Sequence, residues 1–287
     1  MATTDVKGIS VSVRRTVQNL AQRRTLLPAP LDSLLAGPGR DVSQLTVVVT
    51  GASAGIGRQA VIQLRARGAR VIGVARRADE LKALADETGC EWRTCDLNDE
   101  AEIARLLEDL AHQRVDVLVN NAGRSIRRRI IDATDRLHDY QRTMALNYFA
   151  PVQLTLGLLP GMIERGRGQI VNVCTWALHA NTFPRFSAYA ASKSALAIFG
   201  RTLNAEQPHP GIRATNVYFP LVRTEMIAPT AEYEAAVALS AQEAGRWITR
   251  AVTHQPVEVN AAVLRALLPA IDLFSPTAAD TTIASIT

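Results

Sequence analysis

The chain has 287 residues, 47% of them hydrophobic and 21% charged, with a formal net charge of +5. That length and balance describe a single large core, and no linker divides it. No apolar run approaches the roughly 18 residues of a membrane span. The N-terminus lacks the short apolar stretch of a secretory signal, so export is not expected. Three cysteines, Cys90, Cys95 and Cys174, make an odd number without metal-ligand spacing, which implies reduced thiols in a cytoplasm and no metal site.

The charge has a location. Residues 6–31 hold Lys7, Arg14, Arg15, Arg23 and Arg24 and no acid, which accounts for the whole net charge of +5. The basic residues lack interleaved aromatics and any recognisable binding module, so a nucleic-acid partner is disfavoured. Val13, Val17 and Leu20 fall at helical spacing before Pro28 and Pro30. Two readings stay open for this extension, residues 1–44. It is either a helix packed on the core or on a second subunit, or a basic amphipathic helix lying on a membrane surface.

From Leu45 the pattern alternates. Strands are expected near 45–50, 70–75, 91–95, 115–120, 169–174 and 213–219, and helices over 57–67, 78–88, 99–113, 136–165 and 187–206. Alternation of this kind predicts an α/β fold, a Rossmann-type doubly wound parallel sheet in one catalytic domain over 45–275, with a loose polar tail over 276–287. Ligands bind beyond the carboxyl ends of such strands.

The first strand runs into Thr50-Gly51-Ala52-Ser53-Ala54-Gly55-Ile56-Gly57, and a helical pattern follows. A helix N-terminus behind a glycine turn presents unpaired N–H groups and the positive end of the dipole to a phosphate. The stretch reads as a dinucleotide cradle. The second strand ends Ala75-Arg76-Arg77, where an NAD site usually carries an acid. Guanidinium groups there match a 2′-phosphate, so NADP(H) is expected over NAD(H). Asp96-Leu97 ends the third strand and can flank the adenine. Asn120-Asn121-Ala122-Gly123 ends the fourth, with small residues and an amide suited to a backbone brought against ribose and nicotinamide.

Tyr189-Ala190-Ala191-Ser192-Lys193 puts a phenol and an ammonium at i and i+4 of one helix. A free tyrosine has a pKa of about 10. A neighbouring cation lowers it, which makes Tyr189 a candidate general acid. Pro151, four residues after Asn147, has no N–H to return to the Asn147 carbonyl, which is then free to hold a water.

In these motifs the chain resembles the short-chain dehydrogenase/reductase family, over about residues 45–230. The resemblance implies hydride transfer and a catalytic group of Asn147, a hydroxyl residue, Tyr189 and Lys193. Tyr189 is its proton donor, and Lys193 lowers the phenol pKa and binds the ribose. Gly51, Ser53, Gly55, Ile56, Gly57, Arg76, Arg77, Asp96, Leu97, Asn121, Ala122, Gly123, Tyr189, Lys193, Pro220, Val222 and Thr224 form the implied cofactor set. One departure stands out. The family's strand-end serine pair reads Cys174-Thr175, and Thr175 precedes Tyr189 by one residue more than is usual. Threonine keeps the hydroxyl donor, and an extra residue in the loop Asn181-Thr182-Phe183-Pro184 absorbs the shift.

A narrower resemblance, to bacterial fatty acyl-CoA reductases of this class, runs through Asn121-Ala122-Gly123-Arg124-Ser125-Ile126-Arg127-Arg128, Arg185-Phe186-Ser187-Ala188-Tyr189 and Pro220-Leu221-Val222-Arg223-Thr224. It implies NADPH-dependent reduction of a long-chain acyl thioester to an aldehyde. A ketone or aldehyde reductase of specialised metabolism is the alternative, and a non-catalytic NADP-binding regulator a further one. The arginines after strand four can receive coenzyme A phosphates or be balanced by Asp132, Asp135 and Asp139. Apolar residues at 235–239 and 263–274 are either an acyl lid or core and interface helices. Small residues Ala188, Ala191, Ala195 and Gly200 on the Tyr189 helix allow close pairing between subunits, hence an expected dimer or tetramer.

Overall fold

The structure, a computed structural model, describes residues 39–206, 211–227, 236–260 and 262–286. The expected N-terminal helix, with its membrane-contact reading, lies outside the described residues. So do 228–235.

A seven-stranded parallel sheet forms the centre, in the order β3-β2-β1-β4-β5-β6-β9. Its strands are β1 (Thr46–Thr50), β2 (Arg70–Ala75), β3 (Glu91–Thr94), β4 (Val117–Asn120), β5 (Gly168–Thr175), β6 (Ile212–Phe219) and β9 (Glu258–Val259). Chain order reverses between β1 and β4, so the crevice for a ligand opens where those two strands diverge. A strand covered on both faces reads as a continuous β-branched run. In β1, Val47 and Val49 face one core together with Val61, Leu64 and Ile248, while Val48 faces the other with Ile72, Ile103 and Leu154. Each such side chain, fully buried, contributes about 1.5–3 kcal/mol.

The helices are α1 (Gly55–Arg65), α2 (Ala78–Thr88), α3 (Glu100–Ala111), α4 (Leu137–Met144), α5 (Ala150–Glu164), α6 (Ser187–Glu206), α7 (Ala241–His254), α8 (Ala262–Phe274) and α9 (Pro276–Ile286). Two short strands, β7 (Val222–Arg223) and β8 (Leu239–Ser240), pair beside the sheet.

Four expectations change. The helix expected over 136–165 is interrupted by a π-turn at Ala145–Phe149, where the Ala150 N–H returns to the Ala145 carbonyl. The tail over 276–286 is not loose: it forms α9, which packs on α8 and buries Ala279 and Ile283. No described side chain of α8 lines the cavity, so residues 267–274 take the packing reading, while the side chains of Val263 and Leu264 lie outside the described residues. The helix packs instead on the turn after β5, with Asn181 Nδ2 donating to Asp272 at 2.6 Å. Finally, of the four small residues on α6, Ala188 and Gly200 face into the same chain, while Ala191 is exposed and Ala195 half-buried. A Cβ on Gly200 would sit 2.5 Å from Asn216 Oδ1.

Candidate active site

The cradle is strapped to the end of β4. The Thr50 hydroxyl accepts from the N–H groups of Asn121 and Ala122, each at 3.0 Å, and donates to the Val119 carbonyl. Asn121 Nδ2 donates to the Thr50 and Gly51 carbonyls at 2.8 and 3.3 Å. Its amide therefore holds the glycine turn. Gly51 adopts φ +66°, and a Cβ on Gly57 would lie 2.2 Å from the Gly51 carbonyl oxygen. Only glycine allows the turn to fold this tightly over the helix start. At that start Ala54 supplies no side-chain cap, and the first turn of α1 carries no acid. The N–H groups and the dipole are left for an anion. The cradle thus fits the diphosphate of a dinucleotide.

At the adenosine end, Ala75 closes β2 where an acid would hold a ribose hydroxyl. Arg77 leans on Ser53 Oγ at 3.3 and 3.2 Å and pairs with Glu80 and Glu225. Arg76 is 62% exposed and, among the described residues, reaches only Asp96, at 3.7 Å. Burial opposes ionisation of Asp96, yet hydrogen bonds from Asn98 and the charges of Arg76 and Arg124 hold it below the usual carboxylate range.

The reacting end gathers Thr175, Tyr189 and Lys193 from β5 and α6 around one cavity of about 760 Å³. Burial pushes the Tyr189 phenol well above its ordinary value; the Cys174 thiol adds to this, and a hydrogen bond with the Thr175 hydroxyl opposes it. Burial lowers the Lys193 ammonium to about 8, and its Nζ donates to the Val173 carbonyl at 2.8 Å. The expected acidification of the phenol by its ammonium neighbour is thus not the dominant influence in the chain by itself. The Cys174 thiol, also buried, is pushed up to about 12 and stays protonated.

Asn147 sits in the π-turn, a geometry frequent at functional sites. Its Oδ1 accepts from the Arg124 N–H and its Nδ2 donates to the Arg124 carbonyl, both at 2.9 Å. The same Nδ2 donates to Ser192 Oγ at 2.9 Å, and Ser192 donates to the Tyr189 carbonyl at 2.8 Å. The loop after β4 and the helix bearing the phenol are thereby tied together. Ser192 was not singled out from the sequence, although it lies three residues after Tyr189 on the same helical face. A second tie went unseen: Asn120 donates to Asn172, Asn172 to Asn216, and Asn216 to the Ala197 carbonyl of α6. These buried asparagines sit side by side in β4, β5 and β6 and anchor α6 to the sheet.

Thr175 caps the turn Trp176–Ala180, where its hydroxyl accepts from Ala177 N at 3.5 Å. Between this turn and Tyr189, Asn181 and Arg185 adopt φ +56° and +68°. Beyond Tyr189 the cavity wall is apolar: Trp176, Phe183, Phe186, Leu221, Met226 and Val237. Phe183 and Phe186 stack with centroids 4.7 Å apart. Pro220, Val222 and Thr224 line the same cavity, as do Gly51, Ser53, Gly55, Ile56, Leu97, Ala122 and Gly123. Gly57 and Asn147 act from behind that surface.

A parallel doubly wound sheet with a phosphate cradle at its switch point, and a Tyr–Lys pair facing it, defines a dinucleotide-dependent oxidoreductase. The model of the short chain dehydrogenase family matches residues 45–235, and the chain belongs to that family. It is 44% identical over 226 residues to a fatty acyl-CoA reductase of Mycobacterium tuberculosis, covering 76% of this chain and 77% of that one. A fatty acyl-CoA reductase of Acinetobacter baylyi is likewise 44% identical, over 76% of each chain. Among solved structures, a serine dehydrogenase complexed with NADP+ superposes with a TM-score of 0.67 at 26% identity, covering 75% of this chain and 93% of that one.

Proposed function

We propose that this chain is an NADPH-dependent reductase that converts a long-chain acyl-CoA into the aldehyde and free thiol. The observation that carries the reading is the cavity itself: Thr175 and Tyr189 lie at one point of it, and the aromatic and aliphatic wall from Trp176 to Val237 extends beyond them. Such a wall suits an acyl chain, and the two bacterial relatives named as fatty acyl-CoA reductases support the same choice. Arg76 and Arg77, with Ala75 in place of an acid, support NADPH over NADH.

When bound, the reduced dinucleotide supplies the hydride. The free N–H groups of α1 hold its diphosphate, Arg76 and Arg77 its 2′-phosphate, and Lys193 the ribose nearest the reacting carbon. Thr175 donates a hydrogen bond to the thioester oxygen as negative charge grows there. Tyr189, held protonated by burial, gives that oxyanion its proton. The resulting hemithioacetal breaks its C–S bond, the hydroxyl proton passes to sulfur, and aldehyde and thiol leave. The phenol regains a proton from solution through Lys193 and a water on the Asn147 carbonyl, to which Pro151 has no N–H to return.

The test measures NADPH oxidation and thiol release together on a long-chain acyl-CoA. One thiol per NADPH is expected, with loss of both by a factor on the order of 10³ in Tyr189→Phe. Turnover of ketones or aldehydes without thiol release would replace this reading with that of a carbonyl reductase.

A further inference from the structure

The arginines that follow β4 do not share one fate. Arg129 pairs with Asp132 at 2.7 Å. Arg128, Arg136 and Arg142 converge on Asp139, which is only 2% exposed. Arg124 differs from all of these. It is half-buried and lines the cavity, and among the described residues its guanidinium makes no ion pair and no hydrogen bond.

Its surroundings lack the charge to balance it. Arg76 and Asp96 line the same cavity, and their charges reach Arg124. Asp96 already gives Oδ1 to Asn98, at 3.0 Å to its N–H and 2.8 Å to its amide, and stands 3.7 Å from Arg76. Burial, Arg142 and Arg76 together press the Arg124 guanidinium below its ordinary range, against the weaker pull of Asp96 and Asp139. Two guanidinium groups and one partly engaged carboxylate leave a positive corner that an anion would neutralise. The corner is also pre-set. Asn147 grips both the N–H and the carbonyl of Arg124, so binding there need not order the backbone.

We propose that Arg124 and Arg76 form a two-guanidinium subsite for the phosphomonoester on the ribose of an adenine nucleotide. The group is a dianion that takes forked N–H donors from both sides. Two ligands of the proposed reaction carry it, the dinucleotide as a 2′-phosphate and coenzyme A as a 3′-phosphate. The ends of β2 and β3, which place Arg76 and Asp96, favour the dinucleotide. This inference rests on the NADPH and acyl-CoA reading above.

Calorimetric titration of the wild type, Arg124→Ala and Arg124→Lys with NADPH, NADH, coenzyme A and 3′-dephospho-coenzyme A tests it. Arg124→Ala should weaken NADPH about tenfold and NADH less than about twofold, with Arg124→Lys between. A tenfold loss confined to coenzyme A, with its dephospho form unchanged, would support the subsite and assign it to the substrate. Equal losses within both pairs, or none, would overturn it. A wild type that binds NADPH and NADH alike would refute the cofactor preference separately, and the coenzyme A pair would then decide the subsite.

Discussion

Two helices that pack against each other begin in opposite ways. Helix α7 starts with Ser240, whose Oγ accepts from Glu243 N at 3.1 Å while the Glu243 carboxylate takes the Ser240 N–H at 3.0 Å. Helix α1 starts at Ala54 with no side-chain cap and no acid in its first turn. The two touch closely: a Cβ on Gly245 would lie 2.8 Å from Gln59 Cβ, and Gln63 Nε2 donates to the Gln242 carbonyl at 2.9 Å. They share a core, so the difference is not one of burial or neighbourhood. The closed start stabilises the fold, and the open one leaves its N–H groups for a phosphate. Thr175 stands between these cases, capping a short turn while its hydroxyl also meets Tyr189.

That third cap offers the largest effect. Thr175→Val removes the hydroxyl and keeps the shape, and kcat should fall by roughly 10²–10³. Thr175→Ser should recover most of it, because the donor returns. If valine were harmless, Thr175 would be a cap and nothing more.

Charge at the reacting end of the cavity gives the next prediction. Lys193 is lowered to about 8, so it is cationic below that pH and neutral above it. Tyr189 is raised and stays protonated throughout. The alkaline limb of kcat/KM for reduction should therefore begin near pH 8 and belong to the ammonium, with a fall of about tenfold per unit beyond it. Lys193→Arg, slower overall, should lack the limb because its guanidinium stays charged. A profile that is flat to pH 10 would contradict this assignment.

The open helix start can be closed. Ala54→Asp places a carboxylate at the N-cap, where it should stabilise the free protein by about 1 kcal/mol. The same carboxylate occupies the phosphate position with like charge, so the Kd for NADPH should rise by about tenfold or more. Thermal melting and titration of one preparation read both. A higher melting temperature with undiminished NADPH affinity would show that the phosphates sit elsewhere.

How much of this the amino-acid order revealed depends on how local each feature is. The glycine turn and the Tyr189–Lys193 pair were legible because a strand–turn–helix junction and an i, i+4 spacing are decided within a few residues. The π-turn at Ala145–Phe149 was not, since the residues around Asn147 read as plain helix and only Pro151 signals an irregularity. The Asn120–Asn172–Asn216 ladder is formed by strand register between segments far apart in the chain. The phenol's environment was misjudged for a related reason. Sequence places the ammonium beside it, but burial and the Val173 carbonyl that holds Lys193 appear only in the folded chain. Helix α7 was overlooked although its capping signature, Ser240 followed by Glu243, is present.

The smallest expected effect comes from opening that closed start. Ser240→Ala deletes the acceptor of the Glu243 N–H while the backbone N–H at 240 keeps its bond to the Glu243 carboxylate, and the loss costs about 1 kcal/mol. A urea titration should show the loss as a lower midpoint with an unchanged slope. Dinucleotide affinity should stay within about twofold of the wild type, because no phosphate uses those N–H groups. The residue is well placed for a strict test. Ser240 lies in β8 opposite Arg223 of β7, and β7 also supplies Val222 to the cavity wall. If removing the cap weakened NADPH binding by more than it weakened folding, the closed helix would belong to the site as well, and the division between the two helix starts would fail.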